Sequence, residues 1–331
     1  MILKSRAFSL TLLLAIAALT PGVLKAQTAQ PMSETSLGSA GAGSKTGGTG
    51  VEGIAPGDPS SAPTTGPEAA TFDGANIWVA TQFNDSVTRI RISDGLITGT
   101  FAVGKRPVAL VSAAGSVWVA NLLSDNVTKL NPATGAVVAT YAAGDGPGGL
   151  AFDGTNLWVA NRESNTVTKM STAGANLGTF AVGNRPMGVA VVGGAVFVVN
   201  NFSNSVTKLS LAGAVLGTYA VGRGPFGVAG QGENVWVTNY FDKTVTKLRA
   251  ADGLNLGTFK VGDGASGVVF DGTFLWVVSN GDNNVMKIAP STGSVVSTYA
   301  TGKGPFAVVY DGAKIWVPNF ASNSISSTAA N

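Results

Sequence analysis

From Pro67 onward the apolar residues come in short runs, each closed by Gly, Asp-Gly or an Asn-containing tetrad. The stretch from Asn156 to Gly188, NLWVANRESNTVTKMSTAGANLGTFAVGNRPMG, shows most of the pattern. Short β-branched and aromatic runs bounded by turn residues predict strands. A first run follows a proline, as in Gly188 to Val191 or Ala307 to Tyr310, and ends at Asp73-Gly74, Asp153-Gly154, Asp271-Gly272 or Asp311-Gly312. That dipeptide suits a hairpin turn needing φ > 0. A second run carries an aromatic followed by Val. A third begins at Val127, Val167, Val206 or Val245, as Val-Thr-Lys-Leu or a near variant. A fourth pairs Thr with Phe101, Tyr141, Phe180, Tyr219, Phe259 or Tyr299.

The aromatic of the second run recurs as Trp78, Trp118, Trp158, Phe197, Trp236, Trp276 and Trp316, at steps of 40, 40, 39, 39, 40 and 40 residues. In the two short steps the missing residue falls between Lys169 and Gly174 and between Lys208 and Gly213, in the turn before the fourth run. Deletions are tolerated in surface turns, so the division into four strands holds. A four-stranded unit of about 40 residues, repeated, is the signature of a propeller blade. The prediction is an all-β, seven-bladed β-propeller of four-stranded antiparallel blades over residues 67–331, with the seven aromatics packed between blades. Blade seven has three runs (Phe306–Tyr310, Lys314–Asn319, Asn323–Thr328) before the chain reaches Asn331. The N-terminal side could supply its fourth strand, with 49–55 the candidate through Val51, Ile54 and Ala55; otherwise the blade has three strands.

Composition changes the picture mainly at the ends. Lys4 and Arg6, the apolar run Ala7 to Leu19 and the small Ala26 before Gln27 predict a signal peptide over 1–26. Residues 27–66, rich in Gly, Ser, Thr and Pro, read as a disordered linker. Lys4, Arg6 and Lys25 leave with the signal, so the 21 cations of the whole chain become 18 against 18 acids. No global field then favours nucleic acid, and no membrane insertion is expected after signal removal. The expected location is secreted, periplasmic or at the cell surface. The chain has no Cys and no His. The common nucleophile–base pairs and most transition-metal sites are thereby missing. The reading at this level is no enzyme: no catalytic residue, no metal and no cofactor.

In a propeller the loops between second and third strands share one face with the connections between blades. Residues that depart from the repeat there are the binding candidates. On the loops these are Phe83, Arg162, Glu163, Phe202, Tyr240, Phe241 and Phe320; on the connections, Arg106, Arg185 and Arg223. Aromatics beside amides suit a sugar or peptide ligand, and Arg suits a planar anion. The recurring Asn121, Asn161, Asn200, Asn239 and Asn319 read as scaffold, bonding their own loops. The third-strand cations Arg89, Lys129, Lys169, Lys208, Lys247 and Lys287 read as outer-rim side chains snorkelling to water.

The motif Trp236-Val237-Thr238-Asn239, with weaker copies at Trp118, Trp158, Phe197 and Trp316, resembles the YVTN family of β-propellers over about Pro67 to Thr328. That resemblance implies the fold and an exported or cell-surface setting without assigned chemistry. The blades are also similar to the streptogramin (virginiamycin B) lyase group, whose catalysis relies on a histidine base with metal-binding carboxylates; this chain has no histidine. Sugar-lactonase propellers hold a buried metal with Glu, Asn and Asp, a set not visible here. The resulting expectation is an exported, non-catalytic binding module whose partner is an envelope protein or polysaccharide. Two alternatives stay open. One is a lyase-like or lactonase-like enzyme, needing Glu163, Asp145 and Asp263 to converge; the other is a self-associating envelope protein.

Overall fold

The computed structural model describes residues 29–37 and 65–331, and among these it holds strands and turns with no helix. Seven antiparallel blades follow one another around an axis. Blade 3 is representative, with strands Pro147–Phe152, Asn156–Asn161, Thr166–Ser171 and Asn176–Ala181 running from the axis outward. The seven-bladed, four-stranded prediction is what the structure has.

The second strand of each blade is buried on both faces, and its alternation explains how the ring holds together. In blade 2, Val117 and Val119 point with Leu110 into a core shared with Trp78, Ala80 and Val87 of blade 1. Trp118 points the other way, into a core with Leu157, Val159 and Met170 of blade 3. The same division repeats at every interface, so the protein has seven cores, one per blade junction. No blade can bury its own apolar faces; its two neighbours do so.

Each tryptophan also finds a partner for its indole N–H. Asp73, Asp153, Asp271 and Asp311, from the Asp-Gly turns, accept from Trp78, Trp158, Trp276 and Trp316 at 2.6, 2.8, 2.6 and 2.7 Å. The same aspartates accept backbone N–H groups of their own turn, as Asp153 does from Thr155 and Asn156.

The third-strand cations differ from expectation. They do not reach outward to water. Each bends over the aromatic of its own blade and donates to a backbone carbonyl on the next: Arg89 to Pro132, Lys129 to Thr172, Lys169 to Leu211, Lys208 to Ala251, Lys247 to Pro290 and Lys287 to Ala330. The physical reason is the chain just after each third strand, which leaves an unpaired carbonyl within a lysine's length of the neighbouring blade. The ring face below adds a cation–π attraction, with Lys129 Nζ 4.9 Å from the Trp118 ring centre.

Ring closure also differs. Blade 7 takes its outer strand from β2 (Ser33–Ser36), antiparallel to Ser324–Ala329, so the blade has four strands. The expected donor, 49–55, lies outside the described residues. Just before it, β1 (Gln30–Pro31) runs parallel to Val295–Ala300 and gives blade 6 a fifth strand. Residues 30–37 therefore strap blade 6 to blade 7 and on to blade 1. Met32 packs with Trp276 and Ile315, and Leu37 enters the core of Ile77, Trp316 and Ile325. The strand SETS has no apolar alternation to reveal it. Its pairing comes from backbone bonds and from Glu34, whose carboxylate accepts the hydroxyls of Ser322 and Ser324.

Candidate functional site

The first strand of blades 1 to 6 opens with a bulge, and in blade 7 Pro305 makes the corresponding isolated bridge to Asn319. Pairing slips between Pro67 and Ala69, Pro107 and Ala109, Pro147 and Gly149, and likewise in blades 4 to 6. A bulge re-aims the extra residue. Here the residue after each proline, or after Ala265 in blade 6, forms one ring at the top of the axial channel: Glu68, Val108, Gly148, Met187, Phe226, Ser266 and Phe306. All but Ser266 line the channel cavity, of about 200 Å³. The next position is Ala or Gly throughout. A β-carbon on Gly149 would stand 2.0 Å from the Met187 carbonyl oxygen, because adjacent blades meet backbone to backbone there.

One member of the ring is vacant by design of the sequence. Gly148 has no side chain, and a β-carbon there would fall 1.9 Å from Nε of Arg162. Arg162, from the loop after the second strand of blade 3, turns inward through this notch. It is only 9 % exposed. One terminal nitrogen donates 3.2 Å to the Gly148 carbonyl, while Nε has no partner.

Glu68 faces the same cavity. Burial pushes its carboxyl above the usual carboxylate range, and the charges of Arg162 and Arg106 pull against that rise. Burial likewise works to lower Arg162, and Glu68 is the leading charge opposing it, while Arg185 and Arg106 add to the lowering. The two groups therefore feel each other without touching. The ion pairs among the described residues, Arg91–Asp94, Arg223–Asp242, Lys243–Asp263 and Arg249–Asp252, all lie elsewhere.

Above Arg162 the channel widens into a cleft of about 410 Å³ lined by Arg106, Arg185, Glu163, Asp145 and Asp125. Arg106 and Arg185 have φ of 56° and 52°. The other five blades place Gly66, Gly146, Gly224, Gly264 and Gly304 there, all with positive φ. A non-glycine residue in the left-handed region costs about 1–2 kcal/mol. The two arginines flank blade 3, whose own loop sends in Arg162. Their backbone N–H groups are held by Asp85 and Asn165, each at 2.8 Å.

The opposite half of the mouth is aromatic. Phe241, Tyr240, Phe226, Phe306, Phe320 and Phe83 form an unbroken chain of ring contacts, with centres 5.3 to 6.3 Å apart. Tyr240 also donates 3.2 Å to the Asn280 amide oxygen. The mouth thus has a guanidinium side and a ring side facing one cavity.

The residues singled out from the sequence are divided accordingly. Arg106, Arg162, Glu163 and Arg185 line the cleft, and Phe83, Tyr240, Phe241 and Phe320 join the aromatic chain. Phe202 lies under the Arg185 guanidinium at 4.8 Å. Arg223 is not in this group; it pairs with Asp242 at 2.6 Å in solvent. Glu68, Gly148, Phe226 and Phe306 escaped sequence reasoning. Their one signal is that the residue after the blade-opening proline varies from charged to aromatic to absent. The repeated Asn residues bind third-strand hydroxyls of their own blades, as Asn161 does to Thr166 and Thr168 at 3.0 and 2.9 Å.

Asp145 and Glu163 share the cleft, but Asp263 bonds Lys243 at 2.7 Å away from it. Among the described residues no three of His, Cys, Asp or Glu gather as a metal-holding group.

No family model and no curated sequence matches the chain. Solved structures do. Hydrazine synthase from Kuenenia stuttgartiensis superposes with a TM-score of 0.73 at 19% identity, covering 84% of this chain and 99% of that one. A streptogramin B lyase gives 0.71 at 17%, covering 81% and 94%. Virginiamycin B lyase from Staphylococcus aureus gives 0.72 at 16%, covering 81% and 96%. The chain shares the fold of streptogramin-lyase-like seven-bladed propellers. At these identities the likeness is one of fold alone, and it carries nothing about the YVTN resemblance. It does correct one expectation. Propellers built like this one include enzymes, so the reading of no enzyme, drawn from missing His and Cys, does not stand.

Proposed function

We propose that this protein binds a small organic ligand at the mouth of its axial channel. The observation that carries the reading is Arg162, a buried guanidinium with a free Nε, seated where Gly148 leaves room for it. Burying a charge without full pairing is expensive, and such groups gather at functional sites. Arginine at the two flanking left-handed positions supports the same place, because glycine would be cheaper there. The cavity of about 200 Å³ is smaller than the roughly 300–1,000 Å³ of drug-sized pockets, so the ligand is of metabolite size. The basic and apolar pattern of residues 1–26 supports placing this binding outside the cytoplasm, and the repeat around Trp236 keeps the YVTN resemblance as our reading of its ancestry.

Saturation-transfer NMR on the full chain tests the proposal, with a panel of benzoate, phenol, indole, acetate, glucose and the aromatic amino acids. Signal transfer to some members should appear in the wild type and vanish in Gly148→Leu, which fills the notch, at unchanged melting temperature. Gly148 has no positive φ, and the equivalent positions carry Val108 and Met187, so a side chain is tolerated by the backbone. Equal signals from both proteins would overturn the site. Loss of a parent signal with time in the same tubes would report turnover.

A further inference from the structure

Two opposite charges face one small cavity without meeting. Arg162 enters from the loop of blade 3 and Glu68 from the first strand of blade 1. Glu68 forms no ion pair among the described residues, and the Arg162 guanidinium gives one bond, to Gly148, leaving Nε free. Side chains so placed in a low-dielectric channel attract each other strongly. Direct pairing would satisfy both, yet the carboxylate stays on its bulge and the guanidinium in its notch. Each is held by backbone: Glu68 by the slip of its own strand between Pro67 and Ala69, Arg162 by its bond to the Gly148 carbonyl. Phe226 and Phe306 also line this cavity, their rings 6.1 Å apart and stacked.

From this arrangement we infer that the ligand is an aromatic zwitterion, a small flat body carrying one ammonium and one carboxylate. The inference rests on the binding site proposed above and deepens it. The carboxylate takes the Arg162 guanidinium, whose planar fork matches two oxygens. The ammonium takes Glu68, which prefers a cation beside it once buried. The aromatic body lies against Phe226 and Phe306, where rings stack with rings. A simple organic anion would satisfy Arg162 and leave Glu68 facing it; a simple amine would do the reverse. A zwitterion neutralises both at once.

Glu68 carries a pH signature as well. The charged groups near it are Arg162 and Arg106, and burial alone drives its carboxyl upward. A bound ammonium lowers it, so binding releases a proton from Glu68 wherever the free protein still holds one.

Calorimetric titration of the full chain with three matched probes decides the question. L-Phenylalanine carries both charges, 3-phenylpropionate the acid alone and 2-phenylethylamine the amine alone. The expected result is at least tenfold tighter binding of phenylalanine than of either analogue. In Arg162→Gln its advantage over 2-phenylethylamine should disappear; in Glu68→Gln its advantage over 3-phenylpropionate should disappear. Melting temperatures of both variants verify folding, and Glu68→Asp should restore part of the preference if a variant proves unstable. Phenylpropionate binding as tightly as phenylalanine would overturn the inference in favour of a plain anion site. A phenylalanine advantage surviving in both variants would overturn it too. If no probe binds while other panel members bind in a Gly148-dependent way, the zwitterion is overturned and the channel site stands. If nothing binds at all, both fall.

Discussion

Lys208 Nζ donates 2.7 Å to the carbonyl oxygen of Ala251, a residue of the next blade 43 positions further on. Its ammonium lies 5.8 Å from the ring centre of Phe197, and the side chain is only 9 % exposed. The same bond recurs around the ring, so a set of cations that looks like solvent-facing decoration is a set of interblade latches.

Lys208→Met keeps most of the stem and removes the donor. The Ala251 carbonyl then loses a charge-assisted bond, worth about 1.5–3 kcal/mol. Thermal unfolding should show a fall of several degrees, since about 1 kcal/mol moves a domain of this size by about 2–4 °C. A melting temperature equal to the wild type would return these cations to the solvated role.

Much of the scaffold was legible because it repeats. The aromatic-Val anchor, the proline and the Asp-Gly turn each recur at one spacing, and repetition distinguishes a structural position from an accident. The closing strand was not legible, since Ser33–Ser36 is polar and pairs through its backbone with a partner almost 300 residues away. Part of the site was visible as departures from the repeat, including Arg106, Arg162 and Arg185. Glu68, Phe226 and Phe306 were hidden because they stand in what reads as an ordinary strand. A bulge turns them into the channel, and bulges leave no mark in a hydrophobic pattern.

The strap should matter as much as its contacts suggest. Leu37 is 3 % exposed in the core between blades 7 and 1, and its N–H donates 2.7 Å to the Asn323 carbonyl. Leu37→Ala should cost about 2–5 kcal/mol. The loss should appear first at the blade 7–blade 1 seam, as faster hydrogen exchange of Ser324–Ala329 than of the strands of blade 3. Uniform exchange across all blades would mean that the strap does not close the ring.

Acid should attack the tryptophan anchors. Burial works to raise the carboxyls of Asp73 and Asp153, but the indole and backbone N–H groups they accept outweigh it, and both are held below the ordinary aspartate range. A carboxyl lowered on folding contributes stability above its unfolded value, about 3.9, and loses it as pH falls through the folded value. The double variant Asp73→Asn/Asp153→Asn should therefore melt lower than wild type at neutral pH, and the gap should narrow as pH falls below the unfolded value of about 3.9. A constant gap across that range, measured by circular dichroism, would refute the linkage.

Arg106 and Arg185 offer the sharpest separation of stability from binding. Each occupies a left-handed position that glycine fills in five other blades, and each keeps its backbone bond whatever its side chain. Arg106 contributes little to packing: it is exposed, with one bond of 2.8 Å from Nε to the Gln82 amide. Replacing it by glycine relieves about 1 kcal/mol of steric strain, partly offset by the freedom glycine gains in the unfolded chain. Arg106→Gly/Arg185→Gly should therefore fold as stably as wild type or slightly more so. It should also lose affinity for any carboxylate-bearing ligand of the channel, because two of the three cations around the mouth are gone. That combination, unchanged or higher melting temperature with weaker binding, is the trade expected when residues are retained for function at the expense of backbone comfort. A double variant that melts clearly lower would assign the arginines to the scaffold instead.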